Sequence, residues 1–318
     1  MRWQRGTFIL LIAPACLGAG YPDKPIRIVT PYPAASVTDV VARPLAAKFL
    51  EAWSQPVIVD NRPGAGGTVA ADIVAKSPPD GYTLLIASTA PNAVNASLYK
   101  KMPYDTLRDF APISLAATNY LFLVTHPSVP ARTVKELIAL ARANPGQLNF
   151  PSSGNGSTTH LGGELFKYMT ATSMTHIPYK GSPQYTVDLI AGRIELGFAS
   201  PTAVLPHIKT GRLRLLAMSS DKRDPSMPEV PTISESGVPG YELKSWYGLV
   251  ASAGTPAEII DKVQAELAKI LIMADVKAQY AVGGLTAVGS SSAEFAAYIK
   301  TEFHKWAQVV KAAGIRAD

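Results

Sequence analysis

Hydrophobic and polar positions follow two registers along most of the chain. Short β-branched apolar runs recur at residues 26–31, 57–60 and 83–87, and the stretches between them carry helical spacing. Val41, Leu45 and Phe49 stand four residues apart, which predicts a helix over residues 38–52. A second helix is expected at 67–76, before the turn Pro78-Pro79-Asp80-Gly81. Strands alternating with helices imply a parallel sheet with helical crossovers. Residues 98–110 read as a longer irregular connection. A second alternating block then predicts strands at 120–125, 148–150, 175–177, 196–199 and 213–219, with helices at 133–144, 158–170 and 186–191. Residues 221–231 read as an irregular surface segment.

From Trp246 the pattern changes. Residues 248–251 fit one last strand, and Thr255-Pro256 stands as N-cap and first-turn proline of a helix striped by Ile259, Val263, Leu267 and Ile270. A final helix over 292–313 aligns Phe295, Ile299, Phe303, Trp306 and Val310 on one face and ends at Gly314. With no strands of their own after residue 251, these helices are expected to pack on the first sheet and not on the second block. The implied organisation is a leader at 1–20, one lobe from 21–118 plus 247–318, and a second lobe at 119–246. Two crossings between α/β lobes make a hinge with a cleft.

Three Gly- and Ser-rich loops interrupt the pattern where strand gives way to helix: residues 31–39 (PYPAASVTD), 60–68 (DNRPGAGGT) and 152–160 (SSGNGSTTH). Such loops aim unpaired backbone N–H groups at the mouth of a sheet, where helix N-termini favour an anion. In a chain without an obvious catalytic set, they suggest a protein that holds a small carboxylate without transforming it. Asp39 reads either as a first-turn carboxylate serving helix N–H groups or as a residue facing the ligand. Arg62 reads either as a carboxylate clamp or as an anchor for its Pro/Gly-rich loop. Ser157 opens a helix and suits an N-cap. His160 is the only one of the five histidines in a Gly/Ser loop, where a capping or ligand-contacting role and a structural one are equally open.

Composition narrows the function classes. The chain has 318 residues, 47% of them hydrophobic, enough for two lobes with large cores. Net charge is +6, but no Lys/Arg cluster exceeds a pair, so nucleic acid is not an expected partner. Arg2 and Arg5 precede an uncharged apolar run at 6–20 that is too short to span a membrane, which reads as an export signal. Cys16, the single cysteine, lies inside it, so lipidation there is the alternative to simple cleavage, and a disulfide is not expected in the mature domain. The dispersed histidines and the lack of HExxH speak against a metal site, and no cofactor is expected. G-x-S-x-G does not occur, and Gly154-Asn155-Gly156 is only half a dinucleotide fingerprint. An enzymatic role would need a nucleophile–base pair for which the sequence carries no motif.

The ordered motifs across residues 21–318 resemble the Bug/TctC family, the extracytoplasmic solute-binding receptors of tripartite tricarboxylate transporters. They include Tyr21-Pro22-Asp23-Lys24-Pro25-Ile26, Asn61-Arg62-Pro63-Gly64-Ala65-Gly66-Gly67, Pro79-Asp80-Gly81-Tyr82-Thr83-Leu84 and Pro103-Tyr104-Asp105 with Asp109-Phe110. His176-Ile177-Pro178-Tyr179-Lys180-Gly181, Pro231-Thr232, Pro239-Gly240-Tyr241 and the closing Trp306 and Ala313-Gly314-Ile315 follow. The resemblance implies an α/β, two-lobed type II periplasmic binding protein (flytrap) fold with its ligand cleft between lobes. It also implies a periplasmic monomer that delivers a small carboxylate to membrane transporter subunits; an orphan receptor feeding a sensor kinase is the alternative. In the family, the loops matching 31–39 and 152–160 hold the carboxylate from opposite lobes. The candidate contacts here are Ala34, Ala35, Ser36, Thr38, Asp39, Ser88, Ser153, Gly156, Ser157, Thr158, His160, Tyr179 and Tyr185. Two departures stand out: Ala34-Ala35-Ser36 replaces the usual Pro-Gly-Gly, with Cβ atoms expected to narrow the pocket, and Pro183-Gln184-Tyr185 replaces small-Pro-Ala.

Overall fold

The computed structural model describes residues 20–314 except residue 226; the expected leader up to residue 19, with Arg2, Arg5 and Cys16, lies outside the described residues, as does Ile315. The first block folds as β1 (Ile26–Thr30), α1 (Val37–Trp53), β2 (Val57–Asn61), α2 (Thr68–Ala75) and β3 (Thr83–Ser88). β1 lies between β2 and β3 and is parallel to both, as helical crossovers require. A π-helical turn (Ala90–Val94) and the short α3 (Asn95–Leu98) follow.

The next element corrects the sequence reading. An eleven-residue strand, β4 (Phe110–Tyr120), stands where an irregular connection and a strand starting at 120 were expected. Most of β4 is buried on both faces, so the period-two alternation that marks a half-exposed strand is absent. Pro112 reads as a breaker, yet it sits where the pairing register shifts, a position at which a strand tolerates proline.

The second lobe runs β5 (Phe122–Thr125), α4 (Val134–Ala143), β6 (Asn149–Ser152), α5 (Thr158–Thr170), β7 (Thr175–Pro178), α6 (Ser182–Ile190), β8 (Leu196–Ala199), α7 (Pro201–Lys209) and β9 (Arg214–Met218). β6 pairs with β7 in parallel, whereas β5 is antiparallel to both β8 and β9. Two helices depart from expectation. α6 starts at Ser182 and not at 186, because Pro183 in its first turn costs no hydrogen bond. α7 was not anticipated, since Pro201 and Pro206 read as punctuation; Pro201 occupies the first turn, and Pro206 is carried inside the helix.

The chain then returns along β10 (Lys244–Ser252), which pairs antiparallel with β3 and β4. With β11 (Thr286–Ala287) at its edge, the larger sheet has the order β11-β4-β10-β3-β1-β2, so it is mixed and not wholly parallel as expected. Pairing of β4 with β10 extends to Tyr120 and Lys244, so the expected lobe limits fall inside two paired strands that carry the chain between lobes. α8 (Ala257–Ile272), α9 (Ala274–Val282) and α10 (Ser292–Ala313) complete the molecule. A two-residue β11 (Thr286–Ala287) on β4 contradicts the expected lack of strands after residue 251.

α8 buries Ile259, Val263, Leu267 and Ile270 against β4 and α1. Its N-terminus begins at Ala257, and Thr255 is not its cap: the Thr255 hydroxyl donates instead to the Ser252 carbonyl at 2.8 Å. α10 opens with a capping box between Ser291 and Glu294 and packs on β4 and the turn at 90–94. It also reaches α5, so it is not confined to the first lobe as expected but braces both.

Candidate ligand-binding site

The molecule has two lobes, and between them lies an inner pocket of about 460 Å³, the open space at its mouth included. Among the described residues, four helix N-termini open onto it: α1 through Ser36, α5 through Ser157, α6 through Ser182 and α7 through Ser200. Unpaired N–H groups and aligned peptide dipoles make each of these ends electropositive without a cation. Ser36 and Ser200 hold N-cap positions, yet neither side chain caps its own helix; the Ser36 hydroxyl instead lies 3.2 Å from Thr38 Oγ1, and all three residues line the pocket. Ser88 adds a buried hydroxyl with no hydrogen-bond partner. Among the described residues, no Asp, Glu, Lys or Arg lines the pocket. Burial pushes the Tyr247 phenol, which also lines it, far above its ordinary range, so it too is a neutral hydroxyl.

The first loop is held from behind by Asp39. Its carboxylate accepts the Ala35 N–H at 2.9 Å, Arg43 Nε at 2.8 Å and Asn61 Nδ2 at 3.0 Å. Burial raises the Asp39 pKa, but the hydrogen bonds from Arg43, Ala35 and Asn61 outweigh it and hold the group below its ordinary value. Asn61 also donates to Thr30 Oγ1 and the Tyr32 carbonyl, tying β2 to the loop. Asp39 itself does not line the pocket; it organises the turn that does. Ala35 adopts φ +61°, the conformation for which glycine is usual. Ala34 and Ala35 are exposed and do not line the inner pocket, so their Cβ atoms do not narrow it as expected. Arg62 anchors: it pairs with Asp60 at 3.0 Å, is half exposed and lines no cavity described here.

Two histidines set the second loop. Gly156 N–H donates to His160 Nδ1 at 3.1 Å, and His176 Nε2 hydrogen-bonds Ser152 Oγ at 2.6 Å. Ser152 in turn holds both the N–H and the carbonyl of Gly154. Ser157 caps α5 by accepting the His160 N–H. The two imidazoles stack at 3.9 Å behind the loop, so His160 supports the pocket without lining it. Burial, helped by His176 and Lys167, lowers the His160 pKa from 6.5 to about 3; burial and Lys167 lower that of His176 to about 4. Both rings are therefore neutral when folded, whereas the unfolded chain takes up their protons below about pH 6.5. Their contribution to stability is full above that pH and is lost as pH falls toward 4. Thermal melts should show Tm dropping over this interval. His160→Asn, which keeps an acceptor near Nδ1 but cannot titrate, should flatten the decline; an equally steep fall in the variant would refute the assignment.

Of the residues nominated from sequence, the inner pocket brings together Ser36, Thr38, Ser88, Ser153, Ser157 and Thr158. Tyr185 is buried without lining it, and Gly156 faces Asn95 and Leu98 of the other lobe and not the pocket. Sequence reasoning missed Ser182, Ser200, Ser245 and Tyr247. The first two were hidden by the misplaced start of α6 and the unseen α7. Ser245 and Tyr247 lie within an apolar strand that carries no loop signal. Tyr179 lines an outer chamber of about 930 Å³ that shares Tyr32 and Ser153 with the inner pocket.

The lobes touch along the rim. A Cβ on Gly66 would come 2.5 Å from the Asn155 carbonyl oxygen, one on Gly156 would meet Asn95 Oδ1 at 2.5 Å, and Gly181 abuts Pro33. Each pair joins opposite lobes, so the cleft is closed in this structure.

Comparison with known proteins places the chain in a family. The tripartite tricarboxylate transporter family receptor, TctC, matches residues 41–315. Protein BugT of Bordetella pertussis is 38% identical over 297 residues, covering 93% of this chain and 91% of its own. The structure of R. palustris Rpa4515 with adipate is 37% identical with a TM-score of 0.89, covering 93% of this chain and 99% of that one. MatC from Rhodopseudomonas palustris with bound malate is 27% identical with a TM-score of 0.87, over 91% and 100% of the two chains. The fold is thus the two-lobed α/β flytrap of periplasmic solute-binding proteins. By sequence and by fold, the chain belongs to the TctC family of tripartite tricarboxylate transporter receptors.

Proposed function

We propose that this chain is a periplasmic receptor that captures a small carboxylate in its inner pocket and delivers it to membrane transporter subunits. The observation that carries this reading is the convergence of four helix N-termini and an unpartnered Ser88 hydroxyl on a pocket without charged side chains. Closing a cleft strips water from an anion, and several preorganised neutral donors offset that penalty. Relatives in the family hold adipate and malate. Residues 21–118 with 247–318 form one lobe of this trap and 119–246 the other, hinged where β4 and β10 cross and acting as a monomer. Residues 1–20 are removed on export, and among the described residues no helix is long and apolar enough to cross a membrane.

A thermal-shift screen over small carboxylates, adipate and malate included, tests the function. An acid present at 100 times its Kd stabilises the protein by about 2.7 kcal/mol, and a panel in which none raises Tm would overturn it. Ser157→Ala should weaken the best ligand by about 1–3 kcal/mol, because the hydroxyl both faces the pocket and shapes the start of α5. Calorimetry reads this directly, and unchanged affinity would place the carboxylate elsewhere. Mass spectrometry of the exported N-terminus checks the leader: a start near Tyr21 is expected, and a diacylglyceryl group on Cys16 would replace cleavage with lipidation.

A further inference from the structure

The outer chamber has a chemistry that the inner pocket lacks. Tyr32, Tyr99 and Tyr179 line it, and among the described residues Lys180 is the single charged side chain lining either cavity. Among the described residues, the Lys180 ammonium has no ion-pair or hydrogen-bond partner, although the side chain is exposed and carboxylates are close in sequence. The nearest of these, Asp188, is already taken by the Tyr179 hydroxyl at 2.5 Å and Arg193 at 2.8 Å. Lys180 itself is held in place from its backbone. Its N–H donates to Gln184 Oε1 at 3.1 Å, and the adjoining Gly181 packs on Pro33 of the other lobe. Closure therefore sets a free cation beside a chamber that adjoins the neutral pocket, with Tyr32 and Ser153 lining both.

The two cavities suit the two ends of one molecule. A carboxylate in the inner pocket is matched by neutral donors and needs no counter-charge. A second carboxylate on the same ligand would find no cation there but would find one in the chamber, where water still reaches it and desolvation costs little. We propose that Lys180 is a specificity-determining residue that receives the distal carboxylate of a two-ended acid whose first carboxylate occupies the inner pocket. The receptor accordingly selects diacids long enough to pass from pocket to chamber over monoacids of the same chain length. This rests on the carboxylate-receptor reading of the inner pocket.

The test is calorimetry with unbranched diacids from succinate to suberate and the monoacids of matching length, on the natural protein, Lys180→Met and Lys180→Arg. At least one diacid should bind the natural protein tighter than its monoacid. Lys180→Met should cut that preference about three- to tenfold while leaving monoacid affinity and the ligand-free Tm unchanged, and Lys180→Arg should retain it. Added salt should shrink the preference in the natural protein and not in Lys180→Met. A preference that survives Lys180→Met, or diacids and monoacids binding alike, overturns the role of Lys180 and leaves the receptor reading standing. Binding of no acid in either series overturns both.

Discussion

Gly156→Val should weaken carboxylate binding at least about thirtyfold, while Arg62→Lys should leave it within about twofold. Gly156 adopts φ +76°, where a β-branched residue is a strong outlier, and its N–H is committed to His160. A Cβ there would stand 2.5 Å from Asn95 Oδ1 and 2.7 Å from Leu98 Cδ1, both in the opposite lobe. The valine therefore distorts the loop and also wedges the lobes apart. Backbone strain of this kind costs about 1–3 kcal/mol in either state, whereas overpacking, at about 2 kcal/mol or more, falls on the closed state alone. Because the open state escapes the wedge, the penalty appears in affinity more than in ligand-free Tm. Arg62, half exposed and paired only with Asp60, lies in neither cavity, and lysine keeps its charge. Calorimetry on the two variants decides it: undiminished binding by Gly156→Val would mean the lobes do not meet along this seam when ligand is held.

Asp39→Ala should lower both Tm and affinity although the side chain does not line the pocket. Its carboxylate anchors the Ala35 N–H and joins the Asn61 amide to the turn, and a lost hydrogen bond to a charged group costs about 1.5–3 kcal/mol. Ala35 at φ +61° then has no anchor against its own strain, and the turn presenting Ser36 and Thr38 relaxes. Arg43 is largely exposed, so its loss of a partner adds little. Asp39→Asn should recover part of the loss, because an amide oxygen still accepts one N–H. The folded pKa of Asp39 is depressed, so its stabilisation is present above the ordinary carboxylate value near 3.8 and disappears as pH falls through the lower folded value. Full affinity in Asp39→Ala would mean that the first loop does not shape the pocket.

These residues show what could be read from the chain alone. Local signals with short-range causes were legible. The stripes of α8 and α10, the Ser157 cap and the strand-loop-helix transitions at 31–39 and 152–160 depend on residues within a turn or two of one another. The ordered motifs carried the family, and with it the two-lobed fold. Six of the thirteen nominated residues line the inner pocket: five stand in the loops at 31–39 and 152–160 that read as anion-holding helix starts, and the sixth, Ser88, ends β3.

Long-range packing decided the rest. β4 was invisible because burial on both faces erases alternation, and that burial comes from α8 and α10, more than a hundred residues away. α7 was hidden by prolines whose meaning depends on position within a helix. Its N-terminus and that of α6, together with Ser245 and Tyr247 on the returning β10, reach the pocket only through the tertiary fold. The closed rim likewise exists only once Gly66, Gly156 and Gly181 meet partners from the other lobe. A sequence records which residues favour a strand, a cap or a loop. Which of those ends converge on one cavity is settled by how the sheets and helices bury one another.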